Sequence, residues 1–184
     1  LMRVLPGVGL GDVMTSAAAA VGVPGFRDAL GVGETTCAVV CLVDGLGASA
    51  IEDHGELFPS LRDAEGGWVQ APFPSTTATG LATLGTGLHP GRHGLLGASF
   101  WLPDIQEVLP PLRWGSSPSP HAVQPEATVF ERADGFDIDC LSVGPSAYAH
   151  SGLTRAAFRG ADYLDAENIE QRAAVIARAA KGRH

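Results

Sequence analysis

Two short stretches carry residue types that could do chemistry. In the first, Asp44 ends the apolar run Cys37–Val43 and is followed by Gly45-Leu46-Gly47. An acid at the carboxyl end of a buried strand lies where α/β sheets bind ligands, and it could hold a metal ion. It could equally cap the helix that follows, since Asp is a favoured N-cap. In the second, Ser75, Thr76 and Thr77 stand together where a helical pattern begins. Unpaired N–H groups and the helix dipole favour a phosphate there. A hydroxyl at that point could attack the phosphate if a metal ion lowered its pKa. The plainer alternative is a Ser/Thr cap ahead of a Thr-rich helix.

Both stretches need elements to position them. Thr36–Val43 is short, rich in β-formers and has no polar alternation, so it is expected as a buried strand of a parallel sheet. Asp44–Gly47 is then a tight turn and Ala48–Asp53 a short helix. A second strand is expected at Trp68–Pro72 and a helix from Ser75 to about Leu84, with Gly85–Gly94 turn-rich. Ser99–Leu102 and Gln106–Leu109 can pair as a hairpin, and 110–125, with Pro110, Pro111, Pro118, Pro120 and Pro125, reads as a long loop. Ala127–Arg132 is a short helix, Ile138–Val143 a third buried strand and Leu153–Phe158 a helix. Glu167–Ala180 repeats Ile169, Ala173, Ile176 and Ala180 at amphipathic spacing. Residues 1–35 are turn-rich, with an Ala-rich helix near Thr15–Val21. Gly7, Gly9 and Gly11 are not spaced as GxGxxG and follow no predicted strand. The alternation indicates α/β with a largely parallel central sheet flanked by helices.

Composition narrows the function. The chain has 184 residues, of which 45% are hydrophobic and 17% charged, and 24 Gly with 13 Pro make many turns. The net charge is −8, from 20 acidic residues against 12 basic ones. No basic stripe exists, which argues against reading duplex nucleic acid. An anionic substrate would need a local cation, and a bound metal is the obvious one. Cys37, Cys41 and Cys140 form no CxxC or zinc-knuckle spacing and read as small buried hydrophobes. There is no GxxxxGK[ST] and no G-x-S-x-G. No apolar signal core or membrane-length span occurs, which favours the cytoplasm while leaving the compartment open.

Taken together, LVDGLG at 42–47, FPSTTAT at 73–79 and TLGTGLHPGRHGLLG at 83–97 resemble the alkaline phosphatase superfamily, in its nucleotide pyrophosphatase/type I phosphodiesterase branch. Weaker similarity continues through ATVFERA at 127–133 and SGLTRAAFRGADY at 151–163. The resemblance implies metal-dependent hydrolysis of phosphodiester or nucleotide pyrophosphate bonds in a small phosphate-ester substrate. It implies Asp44 as a metal ligand and Thr77 as nucleophile and ligand, forming a phosphothreonine. The cofactor implied is two divalent ions, zinc or alternatively manganese. Thr76 is the second candidate nucleophile, while Ser75 and Thr79 read as cap or helix-face residues. Gly80 stands where better-known members carry an asparagine that helps hold the phosphoryl group. No Cys-x-Pro-x-Arg-like segment points to a sulfatase, and a phosphomutase would more often use Ser.

The family's further ligands, an Asp-x-x-x-His, an Asp-His pair and a last His, are not found. Asp53-His54 lies too close to Asp44 and reads as a helix end, and Asp162 and Asp165 lie in an expected loop with no partner His. His93 reads as a turn-stabilising residue and Arg92 as a solvated loop residue. The chain starts at Leu1 and ends in Lys-Gly-Arg-His straight after a helical pattern. The expectation is therefore an incomplete fold: a leading segment, 1–35, and the N-terminal portion of an alkaline-phosphatase-like catalytic domain, 36–184, with the remaining ligands beyond His184. The competing reading is a non-catalytic half-domain without a full metal site.

Overall fold

The structure is a computed structural model that describes residues 3–62 and 66–181. Six strands occur among them: β1 Arg3–Gly9, β2 Gly67–Gln70, β3 Phe100–Leu102, β4 Glu107–Leu109, β5 Leu141–Gly144 and β6 Asp162–Asp165. The α-helices are α1 Gly11–Ala20, α2 Ala48–Asp53, α3 Pro59–Arg62, α4 Thr77–Thr86, α5 Pro90–His93, α6 Pro120–Val123, α7 Val129–Ala133, α8 Gly152–Ala157 and α9 Ile169–Lys181. The class is α/β, as expected. Among the described residues the largely parallel central sheet is not formed. The described strands make three two-stranded sheets: β1–β2 parallel, β3–β4 antiparallel and β5–β6 parallel.

The main correction concerns residues 36–43. They form no strand, and Val39, Leu42 and Val43 are each about half exposed (56%, 48% and 55%). A strand that is apolar on both faces needs a hydrogen-bonded neighbour and cover on each side. Among the described residues β1 pairs with β2 and β5 with β6, and no strand is set against this segment. Cys41 is accordingly exposed, and Cys37 and Cys140 only half-buried, rather than buried. The turn-rich reading of 1–35 also misses β1, which lies in register with Gly67 and Trp68 at its start and Gln70 at its end.

Helix α4 is the centre of the molecule. Its Ala78 and Ala82 form a core cluster with Leu95 and Leu153, joined by half-buried Leu81 and Phe100. Helix α8 crosses it so closely that a Cβ on Gly85 would lie 1.9 Å from the Ala157 carbonyl oxygen. Two residues on, the same end of α4 closes on Gly87, in the left-handed region at φ 71°, against the start of α1. Small residues therefore set the helix spacing here, because a larger side chain would have to displace backbone.

The remaining elements clamp this centre. The hairpin packs Phe100, Leu102 and Leu109 onto Trp114 and Ala156. Helix α7 begins with a capping box: Thr128 Oγ1 accepts from the Glu131 N–H, and Glu131 accepts from the Thr128 N–H. Arg159 ties that helix down, donating to Glu131 Oε1 at 3.0 Å and to the carbonyls of Gln124 and Glu126. Helix α9 buries no residue fully, and Ile169 is 75% exposed.

Candidate active site

The loop before α4 is extended at Thr76 (φ −103°, ψ 155°), and Thr77 takes the first helical position. Thr76 sits at the N-cap, yet its hydroxyl makes no capping bond and pairs instead with Thr79 Oγ1 at 3.0 Å. Thr79 is fully buried and Thr76 half-buried. Thr77 is different. Its Oγ1 donates a hydrogen bond to Asp44 Oδ2 at 2.8 Å, across 33 residues of sequence. The first N–H groups of a helix have no acceptor within it, so the backbone at 77–79 presents donors at the same end.

Asp44 lies in the turn that precedes α2, and Gly45 beside it takes φ 76°, which favours glycine. The N-cap of α2 is Gly47, so the Asp44 carboxylate does not cap that helix. It points to Thr77 instead. Asp44, Gly45, Ser75, Thr76, Thr77, Ala78, Ala98 and Leu112 line a cleft of about 470 Å³. The structure thus brings Asp44 and Thr77 together and ties the hydroxyl of half-buried Thr76 to Thr79. Ser75 is exposed on the rim.

The two side chains fit part of a cation site. A carboxylate and a hydroxyl are oxygen donors suited to a divalent ion, and they are already within hydrogen-bond distance. Zinc takes about four ligands. Among the described residues no group of three or more His, Cys, Asp or Glu converges. Asp162 and Asp165 are placed at the two ends of β6 rather than in a loop. Asp53 closes α2 with His54 after it, as the helix-end reading expected.

His93 supports α4 from below. It is fully buried, and its Nδ1 accepts from the Leu95 N–H at 3.2 Å. That bond assigns the proton to Nε2, which then donates to Thr83 Oγ1 at 3.0 Å. Burial pushes the imidazole pKa down to about 4, so the ring is neutral at ordinary pH. The turn-stabilising reading of His93 therefore describes what it does. Arg92 is exposed and pairs with Glu126 at 3.1 Å, a contact that sequence reasoning missed because the partner lies on a distant loop. Leu112 and Ala98 as cleft walls were also missed: Leu112 sits in a single 3-10 turn, Pro111–Arg113, and Ala98 in an irregular segment, with no pattern to mark either.

No curated protein and no solved structure matches this chain. A family model does, over residues 38–180. That span begins in the segment leading to Asp44, includes Thr77 and the whole of α4, and runs into α9. With so much of its length covered, the chain belongs to the type I phosphodiesterase / nucleotide pyrophosphatase family.

Proposed function

We propose that this chain carries the nucleophile half of a metal-dependent active site that cleaves phosphodiester or nucleotide pyrophosphate bonds. The observation that carries the reading is the 2.8 Å hydrogen bond from Thr77 to Asp44 at the open start of α4. The family match supports phosphodiester hydrolysis as the general chemistry. An alkaline-phosphatase-like fold is the architecture we infer, and the α/β class and parallel strand pairs are compatible with it.

In this reading the Thr77 oxygen attacks phosphorus and the bond from phosphorus to the leaving oxygen breaks. The leaving group departs as an alcohol or phosphate, and Thr77 is left as a phosphothreonine whose phosphate still carries the substrate's other ester group. Water then attacks the same phosphorus, releasing a phosphate monoester and restoring the hydroxyl with one proton. Asp44 orients the Thr77 hydroxyl by accepting its hydrogen bond, which turns the oxygen lone pairs toward the cleft. The first backbone N–H groups of α4 would hold a non-bridging oxygen as charge builds on it. Asp44 and Thr77 would hold one of two divalent ions, zinc or manganese, which supplies the positive charge that lowers the hydroxyl pKa. Further ligands would come from sequence outside these residues.

The test uses the intact natural protein, loaded with zinc and assayed on a chromogenic phosphodiester. Thr77→Ala should abolish turnover and the covalent adduct, Thr77 esterified to the substrate's remaining phosphate ester, seen by mass spectrometry after acid quenching. Thr77→Ser should keep part of the activity, because the hydroxyl survives. Asp44→Asn should lose most zinc affinity with the fold retained. Full activity in Thr77→Ala would move the nucleophile to Thr76. The alternative, a non-catalytic half-domain, is favoured by the two-donor site, and it predicts no zinc uptake at all.

A further inference from the structure

A second cleft, of about 270 Å³, lies between α8, α6 and the β5–β6 pair, and it shares no lining residue with the first. Its polar lining consists of donors. Arg155 on α8 and His121 on α6 are exposed, and their side chains make no hydrogen bond or ion pair within the described residues. Ser119 and Ser142 add hydroxyls from a loop and from β5. Thr154 accepts from Ser151, which leaves its own O–H to donate. Arg159 is held rigid at the edge by Glu131 and by backbone carbonyls.

No carboxylate is among the residues that line this cleft. Asp162 stands next in sequence to lining residues, but successive strand side chains point to opposite faces, so Tyr163 and not Asp162 faces the cleft. In a chain of net charge −8, a cleft walled by one unpaired guanidinium, an imidazole and hydroxyls, with Arg159 at its edge already paired to Glu131, is a departure from the average surface. The donors arrive from two helices, a strand and a loop. That spread suits an oxyanion with several oxygens better than a carboxylate with two, and an unpaired guanidinium is the side chain best matched to it. Phe158, Ala149 and Ala161 supply an apolar wall.

We propose that this cleft binds a phosphate-type oxyanion, either orthophosphate or a small phosphate monoester, centred on Arg155. The proposal does not depend on Thr77 being a nucleophile. The test is calorimetric titration of the intact natural protein with orthophosphate, with chelator present and ionic strength held constant with chloride. Saturable binding is expected. Arg155→Gln should weaken it at least about tenfold, and Thr77→Ala should leave it unchanged. A parallel titration with methyl phosphate separates the two sources: tighter binding marks a monoester site, equal or weaker binding a site for the free ion. Absence of saturable binding, equal affinity in Arg155→Gln, or loss of binding in Thr77→Ala instead would each overturn the proposal.

Discussion

The two side chains of the candidate active site stand on unlike supports. Thr77 opens a helix whose inner residues are buried, with Ala82 at 0% exposure and neighbours α1, α5 and α8 packed around it. Asp44 stands on an exposed turn after an apolar segment that pairs with no strand among the described residues. One partner is fixed by packing, and the other is held by a glycine turn and a hydrogen bond to the first. A hydrogen bond at an exposed site contributes about 1 kcal/mol, so most of the geometry is set from the α4 side.

This contrast can be broken from either side. The largest expected effect is on the packed side. Gly85→Ala would force a methyl into the Ala157 carbonyl, so α4 and α8 must separate. We expect about 3 kcal/mol or more of lost stability, read as a lower urea midpoint. A change under 1 kcal/mol would show that the helices do not meet as described.

A comparable effect should follow from pH. The pKa of His93 falls from 6.5 to about 4 on folding, so the unfolded chain binds the extra proton between those values. Stability from this group is then complete above pH 6.5 and is lost as pH falls toward 4, about 3 kcal/mol in all. His93→Gln should flatten that part of the stability profile in urea titrations run from pH 7 to 4. An unaltered slope in the variant would assign the pH dependence to other groups.

The smallest effect belongs to the exposed side. Gly45→Ala meets no atom within 4 Å, and only its positive φ is penalised. A loss of about 1 kcal/mol is expected. The sharper readout is zinc affinity in the intact protein, which should fall if this turn aims Asp44. A loss of stability as large as that of Gly85→Ala would mean that the turn is packed after all.

Local elements were legible in the sequence to different degrees. Helix α2 has the bounds Ala48–Asp53 that turn residues and spacing predict, and the hairpin at 100–109 falls where two short β-rich runs flank Pro103 and Asp104. Helix α4 starts at Thr77, within two residues of expectation, because the hydroxyl cluster marks a helix start. It continues to Thr86, past the turn-rich reading that begins at Gly85, because Gly85 serves the contact with α8. Strand β1 was not legible. Its Pro6 and Gly7 argue against a strand, and its partner β2 lies about sixty residues away. Helix α9 shows the opposite failure: its apolar stripe at Ile169, Ala173, Ile176 and Ala180 is correct for a helix but buries no residue fully.

By itself, then, the sequence determined what is local. Tight turns follow from glycine and proline, helix starts from hydroxyls, and the candidate chemistry from an acid after an apolar run and a threonine at a helix start. Only the tertiary structure decided which hydroxyl meets that acid, that the Thr76 hydroxyl is tied to Thr79, and that His93 is a neutral buried strut. It also decided that 36–43 pairs with no strand among the described residues. The reason is physical: backbone preference acts over a few residues, whereas strand pairing, burial and a hydrogen bond across 33 residues depend on what the rest of the chain places alongside.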